Sequence, residues 1–460
     1  MLGDNAKFTI AKGETTNMRS LRQMLEETCA KHGDRLFTIH EKSRLTYREF
    51  DRCVNALARH FLKEGLQKGD KVAIMLPNCP EFIIAYFAAQ KIGAVAVTLN
   101  ILSTAHELRH FLEDSDARMF ITVENSAKRY HEIKNDLPLC QGILTTGGMG
   151  SDSAFTALLK GDADPVPASE INPDDPAVMI YTAGLTGKPM GAVLTQRNLL
   201  TQSELLRSIF VRDEHARGMA VIPFFHSFGA VSNMLAIMRI GASVVLLERF
   251  TLDSIFQTIE KEKVTYISAV PRLYLGMLFH QDGAKYDTSS LLFCVTGGSA
   301  MPPDFIPLFK ERFGAALVEG YGLTEASPVC SVTRLELPQK PGSIGTVIPG
   351  LEAKIVDDAG RELPVNTEGE LIVRGENVMQ GYYKNEEATR QVIRDGWLYT
   401  GDHARMDEDG YIFLTGRKKR MIITNAFNVY PREVEIALEL HPAVEHAEVV
   451  GKEDLMRGEI

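Results

Sequence analysis

KVAIMLPNCPEFIIAYFAAQKIGAVAVTLN, residues 71–100, decides the fold class. Its first seven residues are a short apolar run ending in Pro77, the mark of a buried strand. PEFIIAYFAAQKIG (80–93) then carries apolar residues at helical spacing and a closing glycine, and AVAVTLN (94–100) returns as a second strand. A helix from Thr104 to about Glu113 and a third strand, ARMFITV (117–123), extend the series. Strand, helix, strand, helix, strand is the signature of a parallel sheet.

The pattern recurs downstream. ASVVLLE (242–248), VTYISAV (264–270), LLFCVTG (291–297) and AALVEG (315–320) read as strands, with helical segments around 251–262, 271–280 and 302–313. The fold class expected is α/β, with two doubly wound lobes over about 20–190 and 191–330. Past residue 330 Gly and Pro become frequent, and the alternating segments EAKIVD (352–357) and GELIVRG (369–375) predict a small antiparallel β-barrel over about 331–416. The basic run Arg417-Lys418-Lys419-Arg420 marks a boundary. MIITNAFNVYP, the helix REVEIALELHP and the strand AEVVG then read as the start of a small α/β lid. A large N-terminal domain, 1–416, is thus expected to precede a hinge and a truncated lid, 417–460.

Bulk composition narrows the function. The chain has 460 residues, 45% hydrophobic and 24% charged, the profile of a globular enzyme of two or three domains. A net charge of −10 speaks against a nucleic-acid partner, which needs a basic surface. Cys29, Cys53, Cys79, Cys140, Cys294 and Cys330 are scattered with no CxxC spacing, so reduced thiols in a cytoplasmic protein are expected, without a disulfide framework or a metal site built from them. The N-terminal stretch lacks the apolar core of a signal peptide. The most apolar long stretch, Ala220 to Leu247, contains His226, Asn233, Arg239 and two glycines. It reads as buried strand, helix and strand rather than a membrane span. Peripheral membrane contact and a homodimer stay open.

The chemistry begins at YTAGLTGKPMG (181–191), which follows the apolar strand AVMI (177–180). Gly184, Gly187 and Gly191 let backbone N–H groups approach an anion, and Thr182, Thr186 and Lys188 add donors and charge, which suits a polyphosphate. It is not a Walker A loop: Gly184 and Gly187 are too close, and Pro189 follows Lys188 where Ser or Thr would stand.

This loop, with PFFHSFG (223–229), GGSAMPP (297–303), GYGLTEASP (320–328), WLYTGDHARMDEDGY (397–411) and GRKKRMI (416–422), resembles the adenylate-forming superfamily over residues about 20 to 460. GYGLTEASP and PFFHSFG look most like fatty acyl-CoA synthetases. The resemblance implies an enzyme, an acid–thiol ligase using ATP, Mg²⁺ and coenzyme A. A carboxylate attacks the α-phosphorus of ATP to give an acyl-adenylate and pyrophosphate, and coenzyme A then displaces AMP.

The resemblance also implies roles. Glu325 would hold Mg²⁺ on the phosphates and Thr324 would bond the α-phosphate. Tyr321, between Gly320 and Gly322, would lay its ring on adenine. Asp402 would accept both ribose hydroxyls, as a carboxylate can. Arg417 would reach ribose or phosphate, and Lys419 would mark the pivot between the two half-reactions. His226 would line the carboxylate side, gated by an aromatic neighbour, and Gly297, Gly298 and Ser299 would form the pocket floor.

The chain departs from the family pattern. Ala183, Leu185 and Met190 stand where Ser, Thr and Lys are common, and a lost donor to developing charge costs roughly 10²-fold in rate. Ala426, after Asn425, replaces a glycine bordering the coenzyme A tunnel of relatives. No Pro-Lys motif of the family's lid occurs by Ile460, and its later lysine reaches the acyl-adenylate. Slow turnover is therefore expected of a chain ending here. The favoured substrate is a medium- or long-chain fatty acid, since PFFHSFG carries no acid to pair a substrate ammonium. An aryl acid, and a catalytically weak protein that binds nucleotide or acyl-adenylate, remain the alternatives.

Overall fold

A computed structural model describes residues 18–460 except 150, 168, 184–188, 210–213, 418–421, 425–426, 430, 440, 442 and 455–456. The strands Lys71–Met75, Val95–Thr98, Ala117–Val123 and Gly142–Thr146 are parallel neighbours, as the opening stretch predicts. They lie in a seven-stranded sheet that continues through Pro176–Ala183 and its antiparallel partner Pro189–Thr195 to a short edge strand, Gly381–Tyr382.

A second sheet has nine strands, centred on the parallel set Ser243–Leu246, Arg217–Ala220, Tyr266–Ala269, Phe293–Thr296 and Ala316–Gly322. Its far edge is the hairpin Leu36–His40 and Ser43–Thr46, with Leu36–His40 parallel to Ser243–Leu246. The two sheets therefore interleave in sequence: a hairpin from the chain's start completes the later sheet, and residues 381–382 complete the earlier one.

The helix Pro80–Ile92 lies between the sheets with every residue buried. It is apolar on nearly all sides, as a helix enclosed by other elements must be. Pro80 at its start and Gly93 at φ 73° delimit it. Two of its polar side chains are paired, while Glu81 keeps a buried Oε2 with no hydrogen-bond partner among the described residues. Lys91, 2% exposed, places Nζ 3.1 Å from carboxylate oxygens of both Glu26 and Asp51, and Gln90 donates to the Ala177 carbonyl over 2.9 Å. One core joins this helix, Leu21–His32 and Tyr47–Lys63 to the inner faces of both sheets. Separate cores back the second sheet, under Leu252–Glu262, Pro271–Phe279 and Phe305–Phe313, and the first, under Ala105–Asp114 and Glu124–Ile133. The result is five alternating layers.

The apolar stretch 220–247 begins at the end of the strand Arg217–Ala220, runs through an irregular loop over 221–226 and continues as helix and strand. A helical run through Ser227–Ala230, a π turn Val231–Leu235 and Ala236–Ile240 leads into Ser243–Leu246. Among the described residues no helix is long and apolar enough to cross a membrane.

The expected barrel appears as an antiparallel half-barrel sheet of five strands: Leu351–Val356, Gly369–Gly375, Trp397–Met406, Ile393–Arg394 and Ile412–Arg417. Beyond it, Ile422–Thr424 and Phe427–Val429 form a hairpin before the helix Pro431–Glu439. One local expectation fails. AEVVG is not a strand, because the Ala447 and Val449 N–H groups donate to the side chains of Glu439 and Glu435 instead of to a ladder. Glu453–Asp454 and Gly458–Glu459 supply the pairing instead, alongside Thr424.

Candidate active site

The site assembles where the parallel strands of both sheets end, the crevice in which open α/β sheets bind ligands. Thr182, near the C-terminal end of Pro176–Ala183, donates from Oγ1 to Glu325 Oε1 over 3.1 Å. Glu325 belongs to the short 3-10 turn Thr324–Ala326 that follows the strand Ala316–Gly322 of the other sheet. This contact joins the glycine-rich hairpin to the GYGLTEASP turn.

Thr324 is buried, with its hydroxyl 3.3 Å from Ser227 Oγ. Ser227 follows His226, so the PFFHSFG loop meets the same turn. First-sheet residues hold that loop in place. Asn78 accepts the Phe224 N–H over 2.8 Å and donates to the Ile222 and Ala220 carbonyls at 2.9 and 3.2 Å. Thr98 donates to the Phe225 carbonyl over 3.0 Å. His226 Nδ1 accepts from the Phe228 N–H over 3.1 Å. Burial pushes its pKa down to about 4, so the imidazole is neutral at ordinary pH.

Gly297 opens the turn after Phe293–Thr296. A Cβ there would lie 3.0 Å from the Gly320 carbonyl and 3.3 Å from the Phe228 ring, so the absent side chain leaves the aromatic wall close to the backbone. Gly298 has φ +83° and Ser299 is half-buried. Beneath this turn Glu319, buried and opposite Thr296 in the ladder, accepts the Met301 N–H over 3.1 Å. Burial raises its carboxyl to about 7, against the opposing pull of that N–H.

Tyr321 OH donates to Asp402 Oδ2 over 2.5 Å, and burial together with that carboxylate pushes the phenol well above its ordinary range. Asp402 lies opposite Arg417 in the ladder between Trp397–Met406 and Ile412–Arg417; Arg417 is placed by its backbone alone. Gly191 accepts the Tyr383 N–H at its carbonyl, and a Cβ on it would come 2.7 Å from Met179 Sδ. Met190, expected to weaken the phosphate cradle, is buried in the core beside it and accepts from the Asn385 amide over 3.4 Å. Gly184, Thr186, Gly187, Lys188 and Lys419, with Leu185 and Ala426, lie outside the described residues.

Sequence reasoning missed Tyr382, which donates to Glu325 Oε1 over 2.8 Å, and the supports Asn78, Thr98, Ser227 and Glu319. The pair Tyr382-Tyr383 after Gly381 was the available signal, a weak one. A groove of about 730 Å³ lined by Asp70, Lys71, Arg118 and Gln141 opens at the opposite ends of the first sheet's strands and contains none of the site residues.

Among the described residues no group of three or more metal-ligating side chains is brought together. Glu325 alone offers a carboxylate beside Thr182 and Thr324. One carboxylate supplemented by substrate phosphates and water is the way Mg²⁺ is ordinarily held at nucleotide sites, so the donor set fits that ion.

The family model described as AMP-binding enzyme matches residues 25–383. A long-chain-fatty-acid–CoA ligase of Bacillus subtilis (strain 168) is 34% identical over 96% of this chain and 84% of its own length. A feruloyl-CoA synthase of Amycolatopsis sp. is 34% identical over 96% of this chain and 86% of its own. Among solved structures, the anthranilate CoA ligase AuaEII in complex with anthranoyl-AMP superposes with a TM-score of 0.83 at 28% identity, covering 96% of this chain and 85% of that one.

Proposed function

The chain belongs to the AMP-binding enzyme family and is an AMP-forming acid–thiol ligase, and from that premise we propose that its acid is a medium- or long-chain fatty acid. The contact between Thr182 and Glu325 carries the reading of the site, because it brings the glycine-rich hairpin and the GYGLTE turn to one point between the sheets. The fatty-acid assignment is supported by the Bacillus subtilis relative and by a PFFHSFG loop with no acid to pair an ammonium.

In the reaction proposed, Tyr321 faces the adenine and Asp402 accepts the ribose hydroxyls. Thr324 donates to a phosphate oxygen, and Thr182 stands beside the phosphates with its one O–H held by Glu325. Glu325 would hold a Mg²⁺ ion on the phosphates, whose positive charge would let one anion approach another. The carboxylate oxygen bonds to the α-phosphorus and pyrophosphate leaves with the electron pair. His226, neutral, lines the carboxylate side without adding charge. Gly297, Gly298 and Ser299 floor the site. In the second half-reaction the coenzyme A thiolate attacks the acyl carbon and AMP leaves. Arg417 and the hinge at Lys419 belong to that change of partner.

A second reading, an aryl acid, is favoured by the Phe228 ring against Gly297, which suits a flat substrate, and by the feruloyl and anthranilate relatives. The test is pyrophosphate release from ATP over a panel of fatty and aryl acids, with and without coenzyme A. Faster release with fatty acids supports the proposal. Preference for ferulate or anthranilate replaces it with the second reading, and no release with any acid overturns both. Glu325→Ala should weaken Mg²⁺-ATP use; parity with the parent would remove the metal assignment.

A further inference from the structure

Glu325 Oε1 receives two hydroxyl donors from different parts of the chain, Thr182 at 3.1 Å and Tyr382 at 2.8 Å. We propose that Tyr382 is a positioning residue that fixes the Glu325 carboxylate for a divalent cation bound with the nucleotide's phosphates. The proposal rests on the reading of the site given above.

The segment around Tyr382 is built to place this one phenol. On one side it is bonded to the Glu325 turn: the Met379 N–H donates to the Glu325 carbonyl over 2.8 Å, and Asn377 donates to the Ala326 and Val329 carbonyls at 2.8 and 3.1 Å. On the other it is bonded to the strand leaving the glycine-rich loop, through the Gln380 N–H to the Val193 carbonyl at 2.9 Å and the Tyr383 N–H to the Gly191 carbonyl at 2.8 Å. The Tyr382 N–H is itself fixed by Thr389 Oγ1 at 2.9 Å, and the Tyr382 side chain is buried. Gly381 has φ +148°, and a Cβ there would meet Thr389 Cγ2 at 2.8 Å, so glycine lets the chain pass this close to the Thr389 side chain that fixes Tyr382.

With both donors on Oε1, the carboxylate is held at one oxygen, and Oε2 has no hydrogen bond among the described residues. A carboxylate anchored at one oxygen presents the other with little orientational freedom, which matters most for a ligand that tolerates little deviation in geometry, as Mg²⁺ does. A phenol suits this role because it donates a proton to the carboxylate and adds no charge of its own.

The experiment is calorimetric titration of the chain with ATP, with and without Mg²⁺, alongside pyrophosphate release at varied Mg²⁺. Tyr382→Phe keeps the ring and removes one charge-assisted hydrogen bond. It should weaken Mg²⁺-ATP binding and raise the half-saturating Mg²⁺ by about tenfold. Metal-free ATP binding, and kcat at saturating Mg²⁺, should stay within about twofold, the range left to uniform effects. Tyr383→Phe, whose phenol bonds Asp116 at 2.8 Å instead, controls for the loss of a hydroxyl and should leave the Mg²⁺ dependence unchanged. In a Glu325→Gln background the Tyr382→Phe effect should vanish, since the two act through one carboxylate. Equal Mg²⁺ dependence in Tyr382→Phe and parent overturns the proposal. So does equal weakening with and without Mg²⁺, which would be a packing effect. A parent that binds Mg²⁺-ATP but releases no pyrophosphate would sink the proposed reaction, and the binding titrations would still decide the role of Tyr382.

Discussion

Tyr321 and Asp402 lie 81 residues apart in sequence and share a 2.5 Å hydrogen bond, the phenol donating to Oδ2. That bond ties the strand Ala316–Gly322 of the second sheet to the antiparallel half-barrel sheet. Asp402→Ala should raise the KM for ATP roughly 10- to 100-fold, the range for losing hydrogen bonds to a charged group. Tyr321→Phe keeps the ring proposed to face adenine and should cost only a few-fold. Initial rates at varied ATP separate them. An Asp402→Ala enzyme with parental KM would remove Asp402 from the nucleotide site.

His226 is neutral in the folded chain, with its pKa down at about 4 against an ordinary 6.5. The pH–rate profile should therefore show no inflection near 6.5 that a His226→Asn variant abolishes. Protonation is disfavoured only in the folded state, so stability contributed by the neutral ring is full above 6.5 and falls as pH drops toward 4. Denaturant melts across that window should show the parent losing more stability than His226→Asn.

Glu319 behaves in the opposite sense. Its folded pKa of about 7 lies above the ordinary 4.5, so the protonated carboxyl is the one the fold prefers. Its contribution is fully present below 4.5 and is lost as pH rises through 7. Glu319→Gln keeps an acceptor for the Met301 N–H and carries no charge, and should be more stable than the parent at pH 8 by up to about 3 kcal/mol. Equal melts at pH 8 would show that Glu319 is not penalised for ionising.

The glycines flanking Tyr321 should respond differently to alanine. A Cβ on Gly322 would fall 1.8 Å from the Pro328 carbonyl oxygen, whereas the nearest atom to one on Gly320 is 3.8 Å away. Gly322→Ala should cost about 3 kcal/mol or more and weaken ATP binding, and Gly320→Ala less than about 1.5 kcal/mol. Thermal melts with and without ATP read both.

Much of this was legible where a residue's role is local. Pro80–Ile92 announced itself because a buried helix must be apolar on nearly every face, and Pro80 and Gly93 stand at its ends. Thr324, Glu325, Tyr321 and Asp402 stood in motifs whose order pointed to the family, and the structure brings Glu325 to Thr182 and Tyr321 to Asp402. What stayed hidden is set by distant partners. No local feature of Leu36–His40 says that it pairs with Ser243–Leu246 rather than with the sheet that follows it directly. AEVVG has the alternation of a strand, but Glu435 and Glu439 on the preceding helix take its N–H groups. Tyr382 is one tyrosine in a turn-rich stretch, and only folding brings its hydroxyl to a carboxylate 57 positions earlier.

The interleaving of the two sheets also has a consequence for synthesis. Chains made from the N-terminus usually fold domain by domain as they emerge. Here the hairpin 36–46 must wait for its edge until residues 243–246 are made, and the edge of the first sheet stays open until residues 381–382 arrive. The last strand of the nine-stranded sheet, Thr346–Val347, is made before residues 381–382, so the sheet begun first is the later one to close. The nascent chain therefore carries an unpartnered hairpin until mid-synthesis and an open edge on its first sheet until residues 381–382 emerge, each a template for wrong pairing.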